Sequence, residues 1–348
     1  MPAEWEPHDA TWIAWPHNRR DWPGKFAPVP WVYAEIVRHL SRVERVNILV
    51  NDEAAQMRAK RCLRKQGAVM DALSFWRIPT DRVWTRDFAP TFVVQESGGD
   101  AAVAITNWRF NGWAKYDDCE RDDAVTDRLA RRLRLAQTKP VRADGRKRIV
   151  LEGGSIDVNG AGLMLTTEEC LLSTVQQRNP GMSRGDLERA FADHLGVRKT
   201  IWLRNGIAGD DTHGHVDDLA RFTDPRTIVV ANEPDPADPN HKPLADNLAL
   251  LREARDLGGR PLRVATLPMP APVWFDGQRL PASYANFYIA NGVVLVPTFN
   301  DPNDRVALTT LQKLFPSRRV TGICCTDLVL GLGTLHCMTQ QQPSAPRR

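Results

Sequence analysis

The sequence predicts an α/β domain of propeller-like, internally pseudosymmetric build, and three observations carry that prediction. An apolar strand-like run, a short loop bearing Asn, Asp or Glu, and a helical stretch recur in the same order four times. A further strand joined by a turn precedes several of these units, with Asn159-Gly160 and Asn291-Gly292 as the clearest hairpin signals. The units spread evenly over residues 1–348 without a linker, so one domain is expected over the full length.

The first copy is the strand Val46–Val50 and the loop Asn51-Asp-Glu53, followed by a helix from Ala54 to Gly67. The second takes Gly162–Thr166 and Thr167-Glu-Glu169, and the third Thr227–Ala231 and Asn232-Glu-Pro234. The fourth is Val293–Pro297 and Asn300-Asp-Pro302, followed by Val306–Phe315, whose valine and leucines recur at helical spacing. Thr223–Arg226 and Glu96-Ser-Gly-Gly-Asp100 are weaker hairpin turns. The proline-rich Leu267–Val273 is bounded by structured-looking sequence and Pro234–Pro239 reads as a surface loop, so neither marks a domain boundary. Residues 340–348 read as a frayed C-terminal tail from their proline and arginine content.

Composition narrows the function class. Apolar content of 42% and charged content of 25% belong to an ordinary folded protein. The N-terminus lacks a basic stretch followed by an apolar core, and no run approaches the roughly eighteen apolar residues of a membrane span, so cytoplasmic residence without a membrane partner is expected. The six cysteines show no Cys-x-x-Cys pair, which predicts free thiols rather than disulfides or a structural zinc site. The net charge is only +4, and the densest basic stretch, Arg128–Arg134, follows Asp122, Asp123 and Asp127. A solvated helix face accounts for it, and no nucleic-acid partner is expected.

The candidate chemistry falls at matching places in the repeat, read as the first strand of each hairpin: Asp87, Glu152, His215 with Asp217, Asn286, and Cys337. In a pseudosymmetric ring such positions converge on the axis, which would put carboxylates, an imidazole and a thiol in one cavity. A cysteine is most often a small buried hydrophobe, and that reading suits Cys62, Cys119, Cys170, Cys324 and Cys325. Cys337 differs, because it follows the glycine-containing run Gly331–His336 and precedes the polar Thr339–Gln342, and a lone thiol with a distant histidine is the pattern of a nucleophile.

His215 and Asp217 stand two apart, which on a strand points both to one side and Val216 into the core. Asp210, Asp211, Asp217 and Asp218 crowd this segment of a net-positive chain, as suits a cationic ligand. Trp84, Trp108 and Trp113 are candidates to wall a pocket for an aliphatic chain or a cation. Blander readings stand beside these: Asp87 pairing with Arg86, and Glu152 as a surface acid at a glycine turn. A metal-dependent hydrolase built on His213, His215 and Asp217 is the rival chemistry, but it leaves Cys337 unexplained and the other histidines lack such company.

Several of these segments carry a resemblance. Met1-Pro-Ala-Glu-Trp-Glu-Pro-His8, Trp12-Ile-Ala-Trp-Pro-His17, Trp84-Thr-Arg-Asp87, Leu151-Glu-Gly-Gly-Ser155, Gly209–Asp217, Ala282–Gly292 and His336–Pro343 follow one another as in a known family. The chain resembles the agmatine deiminases and porphyromonad-type peptidylarginine deiminases of the pentein, or guanidino-group-modifying, superfamily. The resemblance implies a five-bladed α/β propeller and the hydrolysis of agmatine to N-carbamoylputrescine and ammonia, a step towards putrescine and the polyamines.

Residue by residue, the resemblance makes Cys337 the nucleophile that forms a covalent thiouronium, and His215 the general acid and base. Asp87 and Asp217 become guanidinium clamps, Glu152 the acid that orients the histidine, Asn286 a polar wall, and Asp211 the partner of the distal ammonium. It implies no metal or organic cofactor, and a homodimer as the assembly. Two places depart from the common family form: Gly331-Leu-Gly-Thr334 replaces a Gly-Gly-Gly-Asn run, and Phe88-Ala-Pro90 replaces Thr-Gly-Pro. Peptidyl or free arginine is the alternative substrate, although no arginine is evident for binding its carboxylate.

Overall fold

A computed structural model describes residues 1–97 and 100–345. Strands β1 (His8–Ala14), β2 (Arg45–Val50) and β3 (Leu73–Arg77) pair in parallel through crossover helices Val29–Leu40 and Glu53–Lys65. The second helix starts where expected, capped by Asp52, whose side chain accepts from Ala55 N. β4 (Thr91–Ser97) and β5 (Asp100–Thr106) form an antiparallel hairpin, and β6 (Gln137–Thr138) lies parallel to β5. The same order follows in β7 (Asp157–Val158), β8 (Leu163–Thr167) and β9 (Lys199–Leu203), and in β10 (Ala220–Asp224), β11 (Thr227–Asn232) and β12 (Arg263–Pro268).

A two-stranded ribbon, β13 (Trp274–Phe275) with β14 (Gln278–Arg279), precedes the next unit: β15 (Tyr288–Ile289), β16 (Val293–Thr298) and β17 (Arg319–Cys324). β18 (Gln340–Pro343) returns to pair antiparallel with β1. The described residues thus form a mixed α/β fold with one four-stranded and four three-stranded sheets, each an antiparallel pair extended by one parallel strand or, in the four-stranded sheet, by two, plus the ribbon. The middle strands are the apolar runs found in the sequence. Val293–Pro297 is wholly buried, as a strand covered on both faces requires. Asn159 shapes its hairpin by accepting from Ala161 N and Leu163 N.

Two expectations need correction. The sequence pattern found four repeats, whereas the sheets include a further unit, β4–β6. Its middle strand, β5, is followed not by a short polar loop and a helix but by the long segment 107–119, so the order of strand, loop and helix was not evident. The turn expected at Glu96–Asp100 joins β4 to β5, but its Gly98 and Gly99 lie outside the described residues. The tail expected from residue 340 is in part β18. Its glutamines find partners in the interior: Arg86 Nη1 donates to Gln341 Oε1 at 2.7 Å, Trp12 Nε1 to Gln342 Oε1 at 2.9 Å, and Gln340 Nε2 to Pro90 O at 2.9 Å. Buried polar side chains are stable where each finds such a partner. Residues 346–348 lie outside the described residues.

Candidate active site

The predicted site residues occupy equivalent positions, but not on the strands. Asp87 lies in the single helical turn Thr85–Phe88 ahead of β4, Glu152 immediately before the turn Gly153–Ser155 ahead of β7, and Asp217 in the turn Val216–Asp218 ahead of β10. Asn286 and Cys337 precede β15 and β18 in the same way. The strand reading failed because these backbones are satisfied locally: Gly214 N and His215 N donate to Asp210 Oδ2 at 2.7 and 3.1 Å, and Leu219 N to Val216 O at 3.0 Å. The ladder therefore begins after the functional residue.

A cavity of about 650 Å³ receives Trp84, Asp87, Trp113, Asp211 and Cys337 in its lining, together with Tyr116, Leu332 and Phe275 of the ribbon. His215, Glu152, Asp217 and Asn286 are fully buried and stand behind that lining. Asp87 is held from two sides, Gly154 N donating to Oδ1 at 3.0 Å and Trp113 Nε1 to Oδ2 at 2.9 Å. Trp113 thus both lines the cavity and orients a carboxylate. Asn286 does not line it; its Nδ2 donates to Cys337 Sγ at 3.0 Å and to Asp218 Oδ1 at 2.9 Å. Asp211 sits on the lining already engaged by the Lys115 ammonium and by Tyr116 OH, the latter at 2.7 Å. Trp108 packs on His194 instead of reaching the cavity.

His215 stands among three carboxylates. Its Nδ1 lies 3.8 Å from Asp87 Oδ1 and 4.0 Å from Asp217 Oδ1, and its Nε2 lies 3.8 Å from Glu152 Oε2. Burial alone would push the imidazole down, but Asp87, Cys170 and Glu152 outweigh it and hold it well above its ordinary value. Glu152 is buried too, yet Arg178, donating from Nε at 3.1 Å, and His215 bring its carboxyl down to about 2. Burial pushes Asp87 up to about 6, with His215 opposing and Asp217 and Glu152 adding to the rise. Burial and the carboxylates Asp217, Asp218 and Asp87 push the Cys337 thiol well above its ordinary value. Glu152 Oε2, both His215 nitrogens and Asp217 Oδ1 are buried without a protein hydrogen-bond partner, and such atoms in a native interior mark where a polar ligand or water is received.

The rival metal cluster does not form. His213 turns away, its Nε2 facing Ser173 Oγ at 3.2 Å and its Nδ1 Glu169 Oε1 at 3.7 Å. Among the described residues, the buried donor groups that do lie together are Glu152, Cys170 and His215, and Asp217, Asp218 and Cys337. The first already contains the Arg178 guanidinium on Glu152, a competing cation.

Gly154 explains why Leu151-Glu-Gly-Gly-Ser155 carries glycine here. A Cβ would stand 2.6 Å from His215 Nδ1, 2.9 Å from Asp87 Oδ1 and 3.1 Å from Asp217 Oδ2. Gly154→Ala is therefore expected to lower kcat/KM by about 10²-fold or more, since misplacing reacting groups by an ångström costs that much. Retention of activity within a factor of about three would place these groups outside the chemistry. Gly333 has a similar part, since a Cβ there would meet Trp84 Cζ3 at 2.9 Å and Cys337 Cβ at 3.0 Å.

Of the two departures noted in the sequence, only one touches the cavity. Leu332 lines it with φ +69°, a left-handed conformation unusual for a branched side chain, and Thr334 Oγ1 donates to Asn286 Oδ1 at 2.7 Å. Phe88 packs on Phe110 instead. Sequence reasoning gave no role to Glu4 or Arg178, counted Asp218 only among the acids of its segment, read Cys170 as a small hydrophobe and set His336 aside; all five are buried around the same carboxylates. The contacts of His336 join residues far apart in the chain, which no local pattern announces.

Residues 1–343 match the model of the Porphyromonas-type peptidyl-arginine deiminase family. A Pseudomonas aeruginosa protein named agmatine deiminase is 36% identical over an alignment covering 100% of this chain and 96% of that one. The structure of the Enterococcus faecalis agmatine deiminase is 31% identical, with TM-score 0.88, and the match covers 99% of this chain and 95% of that one. A cysteine-to-serine variant of the C. jejuni agmatine deiminase with substrate bound is 27% identical, with TM-score 0.86, over 100% of this chain and 96% of that one.

Proposed function

The chain belongs to the Porphyromonas-type peptidyl-arginine deiminase family, and on that premise we propose that it hydrolyses agmatine to N-carbamoylputrescine and ammonia with Cys337 as nucleophile. The observation that carries this reading is that Cys337 and Asp87 line one cavity while His215, Glu152 and Asp217 stand immediately behind them. A guanidinium is planar and permanently protonated, and carboxylates can each take a pair of its N–H donors. Asp87 and Asp217 hold it in this scheme, and their charge draws positive character onto its central carbon.

The thiolate of Cys337 adds to that carbon, and the tetrahedral adduct expels ammonia, which takes its proton from the His215 imidazolium. The S-alkylthiouronium left on Cys337 is still a cation and still paired with both aspartates. His215, now neutral, removes a proton from water as it attacks from the vacated side. The C–S bond then breaks, the hydroxyl proton of the adduct passes to the departing sulfur, and the ureido product leaves with Cys337 again a neutral thiol. Glu152, charged and anchored by Arg178, orients the ring through both transfers.

The five sheets of like topology, with site residues at equivalent points before their first strands, support the five-bladed propeller as the form of the mixed α/β fold. A single domain over the whole chain belongs to the same reading. So do cytoplasmic residence, where among the described residues no helix is long and apolar enough to cross a membrane, and a homodimer, which sedimentation would test.

Purified protein is incubated with agmatine, free arginine and a blocked arginyl peptide, with and without EDTA, and ureido product and ammonia are measured. Release from agmatine alone, insensitive to EDTA, is the expected result. Preference for the peptide would move the function to protein citrullination, and activity lost with EDTA would overturn the metal-free scheme.

A further inference from the structure

Glu4 lies far from the cavity in sequence but is buried beneath it. Its Oε1 accepts from Arg221 Nη2 at 3.0 Å and Ile289 N at 2.8 Å. Its Oε2 accepts from Arg86 Nη2 at 3.0 Å and faces His336 Nε2 at 2.8 Å. The opposite edge of that ring meets the site: His336 Nδ1 lies 2.6 Å from Asp217 Oδ2. One imidazole therefore bridges two carboxylates, its Nε2 facing Glu4 and its Nδ1 facing Asp217. Burial opposes charge on Glu4, but Arg221, His336 and Arg86 outweigh it and hold the carboxyl well below the usual range. Burial likewise opposes Asp217, and His336 leads the groups that keep it low.

The bridge uses only one oxygen of Asp217. Oδ2 is taken by His336, with Cys337 Sγ 3.7 Å away, while Oδ1 is buried without a protein hydrogen bond. We propose that Glu4 and His336 are positioning residues for Asp217: Glu4 fixes the ring, the ring fixes Oδ2, and Oδ1 is thereby kept for a cationic N–H group of the substrate. This rests on the reading of Asp217 as a guanidinium clamp. Affinity for the guanidinium is then set partly by a residue in the N-terminal segment that never touches the ligand.

The test is calorimetric binding of agmatine in a Cys337→Ser background, where turnover does not intrude. Glu4→Gln and His336→Asn are each expected to raise Kd by about tenfold or more, the worth of one charge-assisted hydrogen bond. The double variant is expected to bind no worse than His336→Asn alone, because the effect of Glu4 passes through the ring; additive losses overturn the relay. Lower melting temperatures with Kd unchanged also overturn it, by reducing both residues to packing. Asp217→Asn separates the two layers of the argument. If it binds agmatine like the parent, the clamp reading itself fails; if it weakens binding and the other two do not, only the relay fails. Should Glu4→Gln not fold, Glu4→Asp, which keeps the charge but shortens its reach to His336, takes its place in the same comparison.

Discussion

Cys337→Ser is expected to lower turnover of agmatine by about 10⁴-fold or more, the usual cost of removing a covalent nucleophile, while agmatine still binds. The split follows from where the residue stands. In the proposed scheme Cys337 contributes the attacking sulfur, whereas the charge that attracts the substrate belongs to Asp87 and Asp217, which the substitution leaves in place. A serine hydroxyl is a far weaker nucleophile than a thiolate, and nothing in the site would deprotonate it at neutral pH. Steady-state rates and calorimetry together decide the matter. A variant that kept near-normal turnover would end the thiol mechanism, and one that lost binding equally would mean that the sulfur is part of the recognition surface.

The same residue carries a pH signature. Burial and three nearby aspartates hold the thiol well above its ordinary value, so in the free protein the neutral form dominates at pH 7. Alkylation by iodoacetamide should accordingly be slow at neutral pH and accelerate only in the alkaline range. A bound guanidinium offsets the aspartate charge, so the thiolate is formed largely in the complex, its proton passing to solvent because His215 already carries one. The carboxylates that disfavour the free thiolate are the ones that gather the cation, and this ties activation of the nucleophile to the presence of its target.

How much of this was legible beforehand depends on the range of the interactions. The middle strands announced themselves because each is a continuous apolar run followed by a polar loop, and Val293–Pro297 or Thr227–Ala231 needs no knowledge of its neighbours. The unit β4–β6 did not, because its middle strand β5 leads into the long segment 107–119 instead of a short polar loop and a helix. The polar run after Cys337 looked like a loose end because glutamine leaves the solvent only when distant partners such as Arg86 and Trp12 are at hand. The site divides along the same line. Asp87, Glu152, His215, Asp217, Asn286 and Cys337 were legible from motifs, yet their placement in turns rather than strands was not, since it depends on side chains such as Asp210 capturing backbone amides. His336 was dismissed for lacking company, and its company is Glu4 and Asp217, both remote in the chain. Asp211 was legible as an acid of the cavity, while Lys115 and Tyr116 upon it were not.

His215→Asn tests the other half of the proposed chemistry, and kcat is expected to fall by about 10³- to 10⁴-fold, because in that scheme the imidazole serves both as acid toward ammonia and as base toward water. Since Asp87, Cys170 and Glu152 hold it well above its ordinary value, the resting form at neutral pH is the imidazolium, which the first step requires. The wild-type rate should therefore fall on the alkaline side as that proton is lost, and the variant should show no such limb. Stability provides an independent reading with a defined sign. A raised histidine contributes stability that is fully present below its unfolded value of about 6.5 and is lost as pH rises through the folded one. The melting-temperature penalty of His215→Asn should thus be largest in mildly acid solution and shrink toward alkaline pH. A penalty that grew with pH would mean that the carboxylates do not hold the ring charged, and a kcat within tenfold of wild type would move proton transfer to another group.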